Sequence, residues 1–251
     1  VAAEPTLTAA DVVTRTAKAL PWTANLMVVP PGDGWDIPDP ALLDVALARS
    51  AARWPDVSDT TCATLWWYGS SSTLALVLGA QMLVTGHCVD PTAPDAVVAI
   101  GDTGTVAALM SPTVATSAGT VVADLVERLV GGLAQRVPGL SAPSLWAIAS
   151  DSVANRVLDV ASALGRVADA TAMARLLTSQ ARTHRFPEPR FVDVTADAIV
   201  TPATASAPDA HSRRVVRRGS CCLVFEAGVD MCVSCPRRTP EDRARRWSAL
   251  L

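Results

Sequence analysis

Apolar positions along this chain recur mostly with the period of helices. "PDPALLDVALARSAARWP" puts Leu43, Leu47, Ala51 and Trp54 on one face, with Asp39 to cap, Pro40 in the first turn and Pro55 as a stop. In residues 120–134, "TVVADLVERLVGGLA", the stripe Val122, Leu125, Val126, Leu129 and Leu133 predicts a helix ending near the glycine pair. Another is predicted from Ser150 or Asp151 to Leu164, burying Val153, Val157, Val160, Ala161 and Leu164 and closed by Gly165. "ATAMARLLTSQARTHRF" reads as a further helix, halted before "PEP". "DAVVAIGDTGTVAALM" differs: two short apolar runs flank Gly101, Asp102 and Gly104, the pattern of two strands and a turn.

From Thr60 to Gly86 the chain carries no charge, a length that suits a membrane span. "GSSS" (Gly69 to Ser72) interrupts its centre and Gln81 follows, so the expectation is a buried helix pair broken near Gly69. Composition shifts at "TPATASAPDAHS", residues 201–212, which reads as a linker or loop. Beyond it "RRVVRRGSCCLVF" looks extended, and "TPEDRARRWSALL" is predicted helical, with Thr239 as cap and Pro240 in the first turn. The expected class is α+β and helix-rich. Residues 1–200 form a helical body with a few short strands, and 213–251 a small cysteine-bearing module.

Half the residues are apolar, which excludes disorder as the default state. The net charge of −3 argues against a protein that coats nucleic acid, and no helix-turn-helix or aromatic-interleaved basic surface is present, so no nucleic-acid partner is expected. The charge is uneven. Residues 211–251 sum to +5 and residues 1–210 to −8. "VAAEPTLTAADVV" has neither a basic n-region nor an apolar h-region, so no signal peptide is read and a cytoplasmic setting with reduced thiols is expected.

Four of the six cysteines lie within "CCLVFEAGVDMCVSC", spaced C-C-x9-C-x2-C: Cys221, Cys222, Cys232 and Cys235. A C-x2-C pair lets two thiolates converge from one turn onto one centre. Neighbouring side chains in a regular strand point to opposite faces, so the vicinal pair needs a bend, which Gly219 would permit, and "EAGVD" supplies the turn between the pairs. Disulfides suit a reducing compartment poorly. Four thiolates would close a tetrahedral zinc site or hold a 2Fe–2S cluster, and spacing alone leaves both open.

"RGSCCLVFEAGVDMCVSCPRRTPEDRARR" resembles the C-terminal segment of the FhuF-type ferric-siderophore reductases. There a vicinal cysteine pair, a hydrophobic strand and turn, a C-x2-C pair and a basic helix hold a 2Fe–2S cluster. "SLWAIASDSVANRVL" is similar to an upstream family segment, with Trp146 in the matching place, although Ala147 and Ile148 stand where the family has Gly–Asn. The gap between the cysteine pairs is one residue shorter than the commonest family spacing. The resemblance implies Cys221, Cys222, Cys232 and Cys235 as cluster ligands. It implies one-electron reduction of a ferric siderophore in the cytosol, fed by an external donor such as a ferredoxin or small reductant, and is compatible with peripheral attachment to the inner face of the membrane. The alternatives are a siderophore-binding or interaction protein with a structural zinc clip, and an iron–sulfur sensor of redox state or iron.

Around the cysteines, Arg213, Arg214, Arg217, Arg218, Arg237 and Arg238 read either as a solvated basic face or as a field attracting an anionic chelate or acidic donor, with Arg217 and Arg218 the nearest. His87–Cys88 lacks partners for a metal site, and Cys62 reads as a small buried residue. Trp66, Trp67 and Tyr68 read as core or as a pocket wall. "GDTGTVAA" is not G-x-G-x-x-G and no Walker loop occurs, so no NAD or flavin site is recognised. No Ser/His/Asp elbow is present either, so catalysis is assigned to no residue beyond the cluster.

Overall fold

The uncharged run forms one unbroken helix, α3 (Asp59–Thr85), in the computed structural model, which describes residues 7–37, 39–179 and 186–251. Ser58 caps it by accepting from the Thr61 N–H, and Gly86 ends it at φ 75°. The expected break at Gly69 does not occur, because the small residues there are contact points. A Cβ at Gly69 would lie 2.7 Å from Thr105 Cγ2. Ser70 accepts from the Val106 N–H at 3.1 Å, and the Ser71 and Ser152 hydroxyls bond at 2.8 Å. Trp66 and Trp67 are fully buried and donate to the carbonyls of Gly104 and Leu145 at 2.7 and 2.8 Å, so they belong to the core. A helix apolar on all sides is one surrounded by protein or lipid. Here protein surrounds it, and among the described residues no helix is long and apolar enough to cross a membrane.

Its chief neighbour is α5 (Ala142–Ala163), with α1 (Ala9–Ala19), α2 (Pro40–Arg53), α4 (Ala118–Arg136) and α6 (Val167–Ser179) completing the helical body. The helix expected from Ser150 or Asp151 begins at Ala142, where the Ser141 hydroxyl accepts from the Ser144 N–H and Pro143 fits the first turn. In α2 the buried face is Leu42, Leu43, Ala46 and Ser50, turned from the expected one; Ala51 is exposed. The turn follows from close approach, since the Ser50 hydroxyl reaches the Cys62 carbonyl and a Cβ on Gly132 would meet Leu43 Cδ1 at 2.5 Å. Gly132 thus seats α2 and α4 continues past it. The helix expected to run to Phe186 is described as far as Ser179, its further part lying outside the described residues.

Two three-stranded antiparallel sheets complete the α+β fold. The first, β1 (Gly34–Asp36), β2 (Val97–Ile100) and β3 (Val106–Met110), contains the expected hairpin, with Gly104 at φ 83° in its turn. The second has β4 (Phe191–Thr195) between β5 (Val200–Pro202) and β6 (Ser212–Val216), with Val192 opposite Val215. Neither β4 nor β5 was expected from the sequence. Val192, Val194 and Val215 form a small core with Trp247 of α7 (Pro240–Ser248). Arg214 and Asp193 pair across the strands through two 2.9 Å bonds, and the guanidinium also reaches the Thr171 hydroxyl and the Ser206 carbonyl. The cysteine segment therefore leaves from a sheet already bolted to α6.

Candidate metal centre

β6 carries the chain out of the sheet, and the Arg217 N–H still bonds the Arg190 carbonyl at 2.9 Å. Arg217 itself is exposed. The next three residues turn inward onto one acid, Asp151, in the middle of α5. Its carboxylate accepts from the Gly219 N–H at 3.0 and 3.1 Å and from the Ser220 N–H at 2.8 Å, and the Ser220 hydroxyl donates at 2.5 Å. Charge-assisted bonds of this kind are about twice as strong as neutral ones. Asp151 thereby fixes the chain immediately ahead of Cys221.

The bend needed by the vicinal pair falls after the pair, at Leu223, which adopts φ 63° without being glycine. Gly219 serves a close approach instead, since a Cβ there would sit 3.0 Å from Arg190 Nη2. A short 3-10 turn, Val224–Ala227, follows, and Thr61 of α3 donates to Glu226 at 2.6 Å to hold it down. The chain then returns through Gly228, at φ 75°, to the C-x2-C turn. Arg238 grips that turn by donating to the carbonyls of Cys232 and Met231, while Trp247 donates to the Ser234 hydroxyl. Helix α7 and its basic flank are thus the clamp of the second cysteine pair.

All four cysteines are free thiols and stand as two cross-segment pairs. Cys221 and Cys235 have their sulfurs 3.9 Å apart, and the Cys222 thiol interacts with that of Cys232. Thiolates bound to one tetrahedral metal at roughly 2.3 Å are about 3.8 Å apart, so the first pair already has the spacing of two ligands on one ion. Among the described residues no three His, Cys, Asp or Glu side chains are gathered for a single ion. The vicinal cysteines divide between two partners, Cys221 with Cys235 and Cys222 with Cys232.

Arg218 lies beside the second pair. It is buried, its Nη1 is 3.3 Å from Cys232 Sγ, its guanidinium stacks 4.9 Å from the Tyr68 ring centre, and its Nε is 3.6 Å from Asp151. The sequence grouped it with Arg217 as an attractor of partners from solvent; its burial against sulfur rules out that placement. Burial opposes its charge, but Tyr68, Cys232, Asp151 and Cys222 outweigh that and keep it a cation. Its Nε and Nη2 are buried and have no hydrogen-bond partner among the described residues. Buried donors are rarely left so. Cys222 is pulled well below the ordinary thiol range by the hydrogen bond with Cys232, aided by the Val224 N–H and Arg218, whereas that shared bond and burial push Cys232 up. Metal binding needs thiolates, and one of this pair is already inclined to be one.

The other candidates fall elsewhere. Arg213 is exposed and donates to the Leu250 carbonyl, Arg214 is the buried sheet cation, and Arg237 is exposed over Phe225. Burial pushes the Cys88 thiol up to about 12, and Cys62 is a core residue donating to the Trp54 carbonyl. His87 is exposed beside Cys88. Asp151 is the residue that sequence reasoning missed. Its signal was an acid inside the apolar stretch "LWAIASDSVANRVL", where the one cation, Arg156, is taken by Asp159.

Residues 218–237 match the family model described as FhuF 2Fe-2S C-terminal domain. The matched stretch opens at Arg218 and contains all four clustered cysteines. The match supports the FhuF-type resemblance and, through the domain's description, an iron–sulfur role for the segment. Comparison with curated proteins finds no match.

Proposed function

We propose that the protein is a ferric-siderophore reductase in which Cys221 and Cys235 hold one iron of a 2Fe–2S centre and Cys222 and Cys232 the other. The observation carrying this reading is the division of four thiols into two pairs beside a buried, charged arginine with unsatisfied donors. Two pairs suit two metal atoms, each with two thiolates, and acceptor sulfides would satisfy Arg218 Nε and Nη2. When bound, such a centre supplies one-electron transfer at potentials that reach roughly −400 mV in all-cysteine ferredoxins.

The protein's own groups prepare that chemistry. Asp151 and Arg238 fix the two cysteine turns, Arg218 offsets the negative charge of the thiolates, and the body excludes water from Cys222 and Cys235. The substrate chemistry needs no nucleophile. Hard oxygen donors hold Fe(III) far more tightly than Fe(II), so one electron loosens the metal without breaking a bond in the chelator. The electron comes from an external donor in the cytosol, a ferredoxin or a small reductant, and exposed Arg217 and Arg237 supply positive potential at the surface.

Metal and acid-labile sulfide are measured on anaerobically purified protein, with visible spectra before and after dithionite and then a ferric siderophore. About two irons and two sulfides per chain, with colour bleached by dithionite and restored by the chelate, is the expected outcome. One zinc per chain without sulfide would replace the redox reading with a structural clip.

A further inference from the structure

Beside Cys221 a cleft of about 440 Å³ opens between the start of α5, the first turns of α3 and the cysteine segment. We infer that this cleft, bounded by Ser144, Leu145, Thr60, Leu223 and Arg237, seats the ferric chelate against Cys221 and favours chelates of net negative charge. The inference rests on the reductase reading and adds to it the place and charge class of the substrate.

Three features of the cleft support it. Its volume lies within the roughly 300–1,000 Å³ that drug-sized ligands occupy. Its wall includes half-buried Cys221, so a seated chelate lies against one of the clustered cysteines. Its chemistry is one-sided: hydroxyls from Thr60, Ser141 and Ser144, apolar surface from Leu140 and Leu145, the Arg237 cation, and no carboxylate among its described lining residues. The N-terminal end of the 22-residue α5, capped by Ser141, adds the positive end of its dipole. Hydroxyl and guanidinium donors suit the oxygen-rich surface of a catecholate or carboxylate complex of Fe(III).

A second cleft is larger, about 870 Å³, but in its wall Asp33, Asp36, Asp39 and Asp102 outnumber the one cation, Arg49, and no cysteine lines it. Its carboxylates would repel an anion. In the proposed cleft the chelated Fe(III) takes one electron and becomes Fe(II). The protein gives up the one electron that its external donor had supplied, and the chelator's covalent bonds stay intact.

The test uses cluster-loaded full-length protein with redox-inert Ga(III) complexes of a tris-catecholate and of a neutral trihydroxamate as binding probes, read by calorimetry. The Fe(III) forms are then mixed with dithionite-reduced protein and reoxidation is followed by stopped flow. Ser144→Trp, which fills the cleft from an exposed position, is expected to weaken Ga(III) binding and slow reoxidation by about tenfold or more, with iron and sulfide content unchanged. Arg237→Glu is expected to slow the tris-catecholate more than the trihydroxamate. Wild-type rates in Ser144→Trp would move the substrate site elsewhere and leave the reductase reading standing. Equal effects of Arg237→Glu on both complexes would overturn the charge preference alone. A wild-type protein that neither complex reoxidises would overturn the reductase reading and this inference together.

Discussion

A guanidinium loses a great deal on burial unless negative charge stands close by, and Arg218 is placed where bound thiolates would supply it. Removing that positive charge makes the centre harder to reduce. Arg218→Met should therefore lower the midpoint potential of the cluster in a potentiometric titration followed by visible absorbance. Arg218→Lys should recover part of the loss, because a lysine keeps the charge without the planar fork of donors. An unchanged potential in Arg218→Met would show that the arginine only fills space. Asp151→Asn keeps the shape of the clamp but not its charge, and loss of the charged bonds to Gly219 and Ser220 should cost about 1–3 kcal/mol of stability, with iron lost faster on dilution into chelator. At this scale the cysteines were legible, since their spacing answers a chemical demand within one short segment. Arg218 was singled out but given a solvent-facing role, and Asp151 was noted only as a possible helix start. Both sit in helix-like or arginine-rich surroundings, and their meaning depends on contacts made across 67 residues of chain.

Some elements with one buried face were legible, although α1 was not singled out and α2 was read with its face turned, and the helix buried on all faces was misread. The stripe from Val122 to Leu133 and the hairpin around Gly104 needed only local period and turn chemistry. In α3, by contrast, apolar residues surround the axis, and glycine and serine in its middle mimic a break when their real cause is the approach of β3 and α5. β4 and β5 escaped notice because they are short, and their apolar runs are interrupted by polar residues that pair across strands, as Asp193 does with Thr201 and Arg214. Gly104 shows both constraints at one position. Its φ is 83°, and a Cβ would lie 2.7 Å from the Ala46 carbonyl oxygen. Gly104→Ala should lower stability by about 1–3 kcal/mol in urea unfolding, through left-handed strain and a clash with backbone that has no rotamer to yield. Asp193→Asn should cost more, about 3–5 kcal/mol, since it leaves Arg214 buried without its partner charge.

At the scale of the whole molecule, the body and the cysteine segment are stabilised by different means. The body has a continuous apolar core running through α3, α4, α5 and α6, whereas beyond β6 only Trp247 joins the small sheet core of Val192, Val194 and Val215, and the segment is otherwise held by polar clamps: Asp151 on Gly219 and Ser220, Thr61 on Glu226, Arg238 on the C-x2-C turn. Metal binding would then supply much of the segment's order and little of the body's. Acid or chelator treatment that strips the metal should leave the far-UV circular dichroism of the helices nearly intact. Limited proteolysis should start within residues 219–236, and Cys221 and Cys232 should alkylate well before Cys88, whose burial keeps its thiol protonated and enclosed. Reloading iron and sulfide should restore protection at all these positions together. If stripping instead melted α3 and α5, the polar clamps would be carrying the stability of the whole fold. The picture of a self-sufficient helical body presenting a metal-ordered segment would then be wrong.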